Sequence, residues 1–162
     1  MKRLIGLTVF LLWSALPAVA LIGDPMLDAV ARDIRSGETF RLSDKRGDNY
    51  LVVFFASQCP PCQQQIEALA LEAEGLQRAN IEVIALALDP VTSEVERFVD
   101  THNVPFRFAQ LSPSSLEFFS NIKIVPFLFL VDRNGVIRYE HTGIIPNTKL
   151  LEEIDALLWA IR

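Results

Sequence analysis

The chain has 162 residues, a formal net charge of -5 at pH 7, and a composition that is 51% hydrophobic and 22% charged. This length suffices for one domain with its own core, and the balance of apolar and charged residues is that of a globular protein rather than a disordered one. A nucleic-acid-binding protein normally carries a basic face, so the acidic balance of this chain argues against nucleic acid as a partner.

The first twenty residues have the pattern of a secretory signal peptide. Lys2 and Arg3 are followed by an uncharged apolar run over residues 4–16 and then by Pro17. Residues 18–20 read Ala-Val-Ala and offer the small side chains that a signal peptidase requires. The alternative is an uncleaved membrane anchor, although the run is shorter than the roughly 20 apolar residues of a spanning helix.

This N-terminal pattern predicts both the domain organisation and the location. We expect residues 1–20 to be a signal peptide, or residues 4–22 to be an anchor, and residues 21–162 to form one domain. Either outcome exports the domain, and a bacterial periplasm is the expected compartment because disulfide chemistry is possible there.

The first elements of the domain are predicted to be a β-hairpin and a buried strand. The hairpin covers residues 28–42, with Ser36 and Gly37 at its turn and with Phe40 and Leu42 alternating with polar residues. Residues 50–55 (Y-L-V-V-F-F) are apolar at every position, which is typical of a strand buried on both faces of a parallel sheet.

A helix, a second buried strand and a second helix are predicted next. The helices cover residues 61–78 and 92–102, and the strand between them covers residues 81–88 (I-E-V-I-A-L-A-L). Thr92 or Ser93 is expected to cap the second helix, because their hydroxyls can accept hydrogen bonds from the first free backbone N–H groups.

The last third of the chain is predicted to contain a short helical segment, a hairpin and a closing helix. The helical segment covers residues 112–121, the hairpin strands cover 127–131 and 136–141 around the turn at 132–135, and the helix covers 147–161. This order of elements predicts an α/β fold with a mixed sheet flanked by helices.

Cys59 and Cys62 are the two cysteines of the chain, and a redox pair is the role that their context favours. A structural disulfide across so short a loop would remove little entropy from the unfolded state. A structural zinc site needs about four nitrogen or sulfur ligands, and His102 and His141 lack the matching spacing. A redox pair needs one cysteine at a helix start and a second one turn inside, which the order strand, C-P-P-C, helix supplies.

The C-P-P-C sequence predicts a different role for each cysteine. Cys59 falls at the helix cap, and Pro60 and Pro61 suit the first turn because a proline there loses no needed N–H. The free amides and the helix dipole would stabilise a thiolate at Cys59. Cys59 is expected to attack a substrate disulfide, and the more shielded Cys62 to resolve the mixed disulfide.

Three segments of the chain carry a resemblance to a known family. They read F-F-A-S-Q-C-P-P-C at residues 54–62, V-P-F-L-F-L-V-D-R-N-G at 125–135 and G-E-T-F-R-L-S-D at 37–44. Together they resemble the TlpA/ResA-type periplasmic thiol–disulfide oxidoreductases over about residues 28–158. The resemblance implies a thioredoxin-like fold with an extra N-terminal β-hairpin.

The same resemblance implies a function and a substrate-binding segment. The enzyme would be a monomer without a cofactor that exchanges disulfides with exported proteins, as a reductant supplied by a membrane electron donor. Pro126 would be cis and face the cysteine pair, Val125 would offer backbone groups to an extended substrate, and Gln58 would lie at the rim. An ordinary trans proline that opens a strand is the alternative for Pro126.

The chain departs from the family pattern at several positions around the pair. The family usually has Trp where Gln58 stands, often has Glu at the place of Gln65, and often has Thr at the place of Phe127. Classical thioredoxins carry a buried Asp where this chain has Val53. Without either carboxylate, Cys62 is expected to titrate with no coupled acid, and an assignment to the cytochrome c maturation branch is weakened.

Two other functions share parts of this pattern. A copper-handling protein would use Cys59 and Cys62 as ligands, but such proteins typically have a longer cysteine spacing. A peroxiredoxin shares the fold, but residues 56–59 (A-S-Q-C) do not match the usual Thr/Ser-x-x-Cys context well. Four aromatic residues of the middle region are candidates for a substrate groove: Phe106, Phe108, Phe118 and Phe119.

Overall fold

The computed structural model describes residues 22–160, so the predicted signal segment lies outside the described residues. The strands are β1 (Val30–Asp33), β2 (Thr39–Arg41), β3 (Asn49–Phe55), β4 (Ile81–Ala87), β5 (Arg107–Leu111), β6 (Phe127–Val131) and β7 (Ile137–Thr142). The helices are α1 (Pro60–Leu71), α2 (Ala73–Arg78), α3 (Thr92–Thr101), α4 (Pro113–Leu116) and α5 (Asn147–Ala160). None of the helices in this part of the chain is long and apolar enough to cross a membrane.

The described strands form one mixed sheet in the order β2-β1-β5-β4-β3-β6-β7. β3, β4 and β5 are parallel neighbours, and β6 and β7 continue the sheet as an antiparallel hairpin on the β3 side. β1 and β2 form the second hairpin, antiparallel to β5 at the other side. The predicted α/β architecture with a mixed sheet and an N-terminal β-hairpin is therefore confirmed.

The sheet separates two apolar clusters, and β3 contributes to both because its side chains alternate. Leu51, Val53 and Phe55 lie in a cluster with residues of α1, α2, α3 and α5, and this cluster includes Cys62. Tyr50, Val52 and Phe54 lie in a second cluster, which the N-terminal segment and the 3-10 turns at Leu42–Lys45 and Glu117–Phe119 help to cover. The longer helices thus pack on the face that carries the cysteine helix.

Strand β5 was not predicted, and its position changes the interpretation of two aromatic residues. Phe108 is fully buried on β5 and Phe106 is buried just before it. The predicted groove role is therefore wrong for Phe108. Phe119 is also buried, but together with Phe118 it lines an apolar groove. Of the four candidates only Phe118 is open to solvent, with 49% of its surface exposed. The sequence R-F-A-Q-L of β5 is short and interrupted by polar residues, so it carries only a weak strand pattern.

The single helix predicted over residues 61–78 is two helices, α1 and α2, that meet at Glu72. The Nδ2 group of Asn147 donates a hydrogen bond of 2.7 Å to the carbonyl oxygen of Ala68. That oxygen would otherwise accept the N–H of Glu72, which instead donates to Leu69 at 3.0 Å. A side chain from the start of α5 therefore pairs with a carbonyl group that the break in the helix leaves without its usual partner.

The N-terminal capping residue of α3 also differs from the prediction. Val91 is the capping residue, and no side chain accepts a hydrogen bond there. The hydroxyl of Thr92 donates instead to Oε1 of Gln110 on β5, at 2.7 Å. Thr92 therefore joins α3 to the sheet and does not cap its own helix.

Asp132 orders the turn between β6 and β7. Burial acts to raise the pKa of this fully buried carboxyl, but the backbone N–H groups of Val136 and Asn134 and the guanidinium of Arg138 outweigh burial and hold its pKa below its usual range. The Asp132 carboxylate lies 2.7 Å from Nη2 of Arg138 and accepts the Asn134 N–H at 2.8 Å. The hairpin that follows Pro126 is therefore held by an ionised group.

Candidate active site at the start of helix α1

Cys59 and Cys62 form a disulfide at the first turn of α1, with their Cα atoms 5.2 Å apart. Cys59 is the N-cap residue with an extended backbone, and Pro60 and Pro61 occupy the first helical positions. The sulfur of Cys59 accepts the backbone N–H of Cys62 at 3.2 Å. The cap role that usually falls to a serine or aspartate oxygen is filled here by a sulfur atom.

The two sulfurs differ in access to solvent. Cys62 is completely buried in the cluster behind α1, whereas Cys59 is only partly buried. Gln58, immediately before the pair, is exposed at the rim. A molecule that approaches from solvent therefore meets Cys59 first.

The segment before β6 lies against the disulfide. The Val125–Pro126 peptide bond is cis, and the carbonyl oxygen of Val125 lies 3.7 Å from Sγ of Cys59. Pro126 is buried and Val125 partly buried, and the carbonyl oxygen of Pro126 accepts the N–H of Gly143 at 2.7 Å. The fold thus places Val125 beside the cysteine pair, with Pro126 next to it in the chain.

A buried carboxylate holds the loop that leads into the pair. Asp89 follows β4, and its carboxylate accepts the backbone N–H of Ser57 at 3.0 Å and the Ser57 hydroxyl at 2.6 Å. Gln110 donates to the carbonyl oxygen of Asp89 at 2.8 Å. Sequence reasoning missed Asp89, although an acidic residue that directly follows a buried parallel strand is a recognisable signal for the edge where such strands end.

The position three residues after Cys62 is a buried amide. Gln65 is fully buried, and its Oε1 accepts the backbone N–H of Ile145 at 2.8 Å. Its Nε2 has no hydrogen-bond partner among residues 22–160. Val53 is also buried, so neither position that carries an acid in related proteins supplies one here.

Both histidines are engaged in local contacts away from any cluster of ligands. Nδ1 of His102 lies 2.9 Å from the carbonyl oxygen of Phe98, and its ring stacks on the Phe98 ring with centroids 4.2 Å apart. Nε2 of His141 lies 2.6 Å from the carboxylate of Glu153. Among residues 22–160, no three His, Cys, Asp or Glu side chains are grouped in a way that could hold a metal ion.

An apolar groove of about 270 Å³ adjoins the Val125–Pro126 segment. Ile124 and Phe127, which flank that segment in sequence, both line the groove, as does Phe118. Ile124 is 61% exposed. Lys123 and Glu140 are the charged residues of the lining.

A mixed sheet of this order, with a C-P-P-C disulfide at the start of a helix, defines a thioredoxin-fold thiol–disulfide oxidoreductase. The chain belongs to the Redoxin family, whose pattern matches residues 21–158.

Individual relatives agree with this class. The chain is 24% identical to the thiol-disulfide oxidoreductase ResA of Geobacillus kaustophilus, over 98% of this chain and 88% of that protein. It is 27% identical to the thioredoxin-like protein YneN of Bacillus subtilis, over 74% of this chain and 71% of that protein. A crystal structure from Chlorobium tepidum assigned to the thiol:disulfide interchange protein DsbE superposes with a TM-score of 0.74 at 29% identity, over 86% of this chain and 99% of that one.

Proposed function

We propose that this thiol–disulfide oxidoreductase is exported and that its Cys59–Cys62 pair reduces disulfides in exported proteins. One observation carries the proposal. The accessible sulfur of Cys59 accepts a backbone N–H at the start of α1 and lies 3.7 Å from the Val125 carbonyl, while Cys62 is buried one turn below. This arrangement provides one nucleophile open to a substrate and a second one reserved for resolution.

The exchange begins from the reduced pair. The Cys59 thiolate attacks one sulfur of a substrate disulfide, so the substrate S–S bond breaks and a mixed disulfide with Cys59 forms. The departing substrate sulfur leaves as a thiolate and takes a proton from water. Cys62 then loses its proton and attacks Sγ of Cys59, which releases the second substrate thiolate and forms the disulfide seen in the structure. Two electrons pass from the pair to the substrate.

The start of α1 supplies the activation of Cys59. A thiolate at the cap gains the Cys62 N–H as a hydrogen-bond donor and the favourable end of the helix dipole. Both favour the charged form and lower the pKa of a cysteine below its free value of about 8.5.

Val125, Pro126 and Gln58 are the proposed substrate-binding residues. Val125 and Pro126 lie beside Cys59, and Gln58 is exposed at the rim, so a polypeptide bonded to Cys59 would run across these residues. A backbone segment next to an extended substrate can exchange main-chain hydrogen bonds with it without regard to side-chain sequence. Such binding suits an enzyme that acts on several proteins.

The remaining parts of the proposal come from the sequence. The basic start, apolar run and Ala-Val-Ala of residues 1–20 support export to a periplasm. A reductant in that compartment gives two electrons to its substrate in each turnover, so its cysteine pair must be reduced again. A membrane electron donor is proposed for this step. A monomer without a cofactor suffices, because both sulfurs of the reaction lie in one chain.

Trapping of the mixed disulfide tests the proposal. The Cys62→Ser variant should accumulate a covalent complex with a disulfide-bonded substrate protein that dithiothreitol releases, whereas the matched Cys59→Ser variant should form none. The wild-type chain should equilibrate with a glutathione redox buffer as a two-electron couple. Tight stoichiometric Cu(I) binding without exchange would assign the pair to metal handling and overturn the proposal.

A further inference from the structure

Gln65 has a buried side-chain amide of which one end is hydrogen-bonded and the other end is unpaired. Its Oε1 accepts the Ile145 N–H at 2.8 Å, and only the oxygen of an amide can accept such a bond. The Nε2 group therefore points away from Ile145, and it has neither solvent contact nor a partner among residues 22–160. A buried donor without an acceptor opposes folding and requires an explanation; Oδ1 of Asn147 is the other buried side-chain atom without a partner among residues 22–160.

The oxidation state of the cysteine pair changes how well the sulfur of Cys62 can accept a hydrogen bond. Gln65 follows Cys62 by three residues on α1, and residues at this spacing lie on the same face of a helix. Both side chains are fully buried. In the disulfide, Sγ of Cys62 is bonded to Cys59 and carries no charge, whereas reduction converts it into a thiol or thiolate that accepts hydrogen bonds.

We propose that the Nε2–H group of Gln65 donates a hydrogen bond to Sγ of Cys62 in the reduced enzyme and stabilises the thiolate that resolves the mixed disulfide. Gln65 is thus a positioning residue of the second chemical step. The inference rests on the proposed function and concerns the same site.

The amide changes how the buried thiol ionises. A donor to the charged form lowers the pKa of Cys62 relative to the same buried site without it. The amide has no basic atom that could take the proton, because its oxygen is already bonded to Ile145. The Cys62 proton therefore passes to water or to the departing substrate thiolate. Gln65 stabilises the negative charge of the Cys62 thiolate and does not accept the proton.

Acidic side chains around α1 have contacts away from Cys62. The hydrophobic cluster that holds Cys62 includes the titratable side chains of Cys59 and, at its border, Tyr139. Four acidic side chains of α1 and of the helices and loops around it contact partners other than Cys62: Asp89 with Ser57, Glu153 with His141, Glu67 with His102, and Glu72 with Asn147.

Titration of Cys62 by itself tests the inference. In the Cys59→Ala background Cys62 is the sole thiol, and its thiolate absorbance in the ultraviolet can be followed against pH. Adding Gln65→Met, which keeps the length of the side chain but removes the donor, should raise the Cys62 pKa by about one unit. Adding Gln65→Glu should raise it further and produce two coupled ionisations.

Gln64→Met is the matched control, because it makes the same substitution at an exposed position of α1. It should leave the Cys62 pKa unchanged. An equal pKa in the Gln65→Met and Gln64→Met variants overturns the inference.

A second measurement leaves Gln65 intact and so does not depend on the Gln65 variants folding. In the Cys59→Ala chain, the side-chain amide N–H resonances of Gln65 should shift with pH in step with Cys62 ionisation. Resonances that do not respond to that ionisation would also overturn the inference.

The kinetic consequence separates this inference from the proposed function. In the chain with both cysteines, Gln65→Met should slow release of glutathione from the Cys59 mixed disulfide by about threefold, because the loss of thiolate is partly offset by its greater nucleophilicity. Formation of the mixed disulfide should be unaffected. Loss of all exchange in the wild-type chain would count against the proposed function, whereas normal exchange with an unshifted Cys62 pKa would count against Gln65 alone.

Discussion

Asp89 and Ser57 are joined by hydrogen bonds from both the backbone N–H and the hydroxyl of Ser57, although 32 positions separate them in sequence. Ser57 lies in the loop after β3, two residues before Cys59, and Asp89 lies in the loop after the parallel neighbour β4. The contact therefore connects the carboxyl ends of two strands and fixes the loop from which the cysteine helix begins.

Removal of the Asp89 carboxylate should destabilise the fold and slow exchange. Asp89→Ala leaves the buried N–H and hydroxyl of Ser57 without an acceptor, which should cost about 2 kcal/mol of the free energy of unfolding. Urea denaturation measures this cost, and the rate of exchange with glutathione reports on the loop. Asp100→Ala, at an exposed position of α3, is the control. Equal stability of the two variants would show that the Asp89 contact does not hold the loop.

Acid should weaken the protein partly through Asp132. Burial acts to raise the pKa of Asp132, but the bonds to Val136, Arg138 and Asn134 hold it below its usual range, so the folded state binds the proton less tightly than the unfolded chain. The stability from this group is fully present above the unfolded pKa of about 3.9 and is lost as the pH falls through the folded pKa. Asp132→Asn should be less stable at pH 7 and should lose less stability between pH 5 and 2.

Denaturation by urea across that pH range gives the comparison for Asp132. Asp48→Asn, an exposed carboxyl outside the turn, serves as the control and should follow the wild-type curve. An Asp132→Asn curve parallel to the wild type down to pH 2 would contradict the assignment.

Cys59 should ionise below the range of an ordinary thiol. In the Cys62→Ser variant Cys59 is the remaining cysteine, and the backbone N–H at position 62 is still present as a donor. The pH dependence of its reaction with iodoacetamide should give a pKa below the free-thiol value of about 8.5. A value at or above about 8.5 would mean that the helix start does not stabilise the thiolate.

The apolar groove beside Val125 should contribute to substrate binding. Because Ile124 and Phe127 line it from both sides of the Val125–Pro126 segment, we expect it to take an apolar side chain of a substrate polypeptide near its cysteine. Phe118→Ser should lower kcat/KM for a disulfide-bonded protein about fivefold, since about 1 kcal/mol of apolar contact is lost. Exchange with glutathione, which has no large apolar side chain to place in the groove, should be unchanged.

The control for the groove is Leu71→Ser, an apolar residue that is 85% exposed at the end of α1 and outside the groove. A similar loss in both variants would indicate a general effect of surface hydrophobicity. An unchanged kcat/KM in Phe118→Ser would remove the groove from the binding surface.

The parts of the molecule that could be predicted are those encoded by neighbouring residues. The buried strand β3, the cap position of Cys59 and the hairpin turn near Asp132 each follow from a local pattern of apolar residues, prolines or a glycine. The segment of Val125 and Pro126 was placed beside the cysteines by family resemblance, because nothing in its own composition points to Cys59.

The parts that were missed depend on contacts between distant residues. The Ile145 N–H that binds Gln65 is 80 positions away, and the Asn147 amide that binds the Ala68 carbonyl near the end of α1 is 79 positions from Ala68. Residues 61–78 have one continuous helical pattern, so only the tertiary contact reveals the break at Glu72. β5 was overlooked because Arg107 and Gln110 interrupt its apolar residues.

The unequal burial of the two sulfurs also bears on chemical damage. An oxidant such as hydrogen peroxide reaches Cys59, which is partly buried, and not Cys62, which is fully buried. A sulfenic acid formed at Cys59 would condense with the thiol of Cys62, releasing water and giving the same disulfide that the enzyme forms in normal turnover. The first oxidative lesion thus returns to a reducible state, and the pair is protected from the irreversible sulfinic and sulfonic acids for as long as Cys62 keeps its thiol.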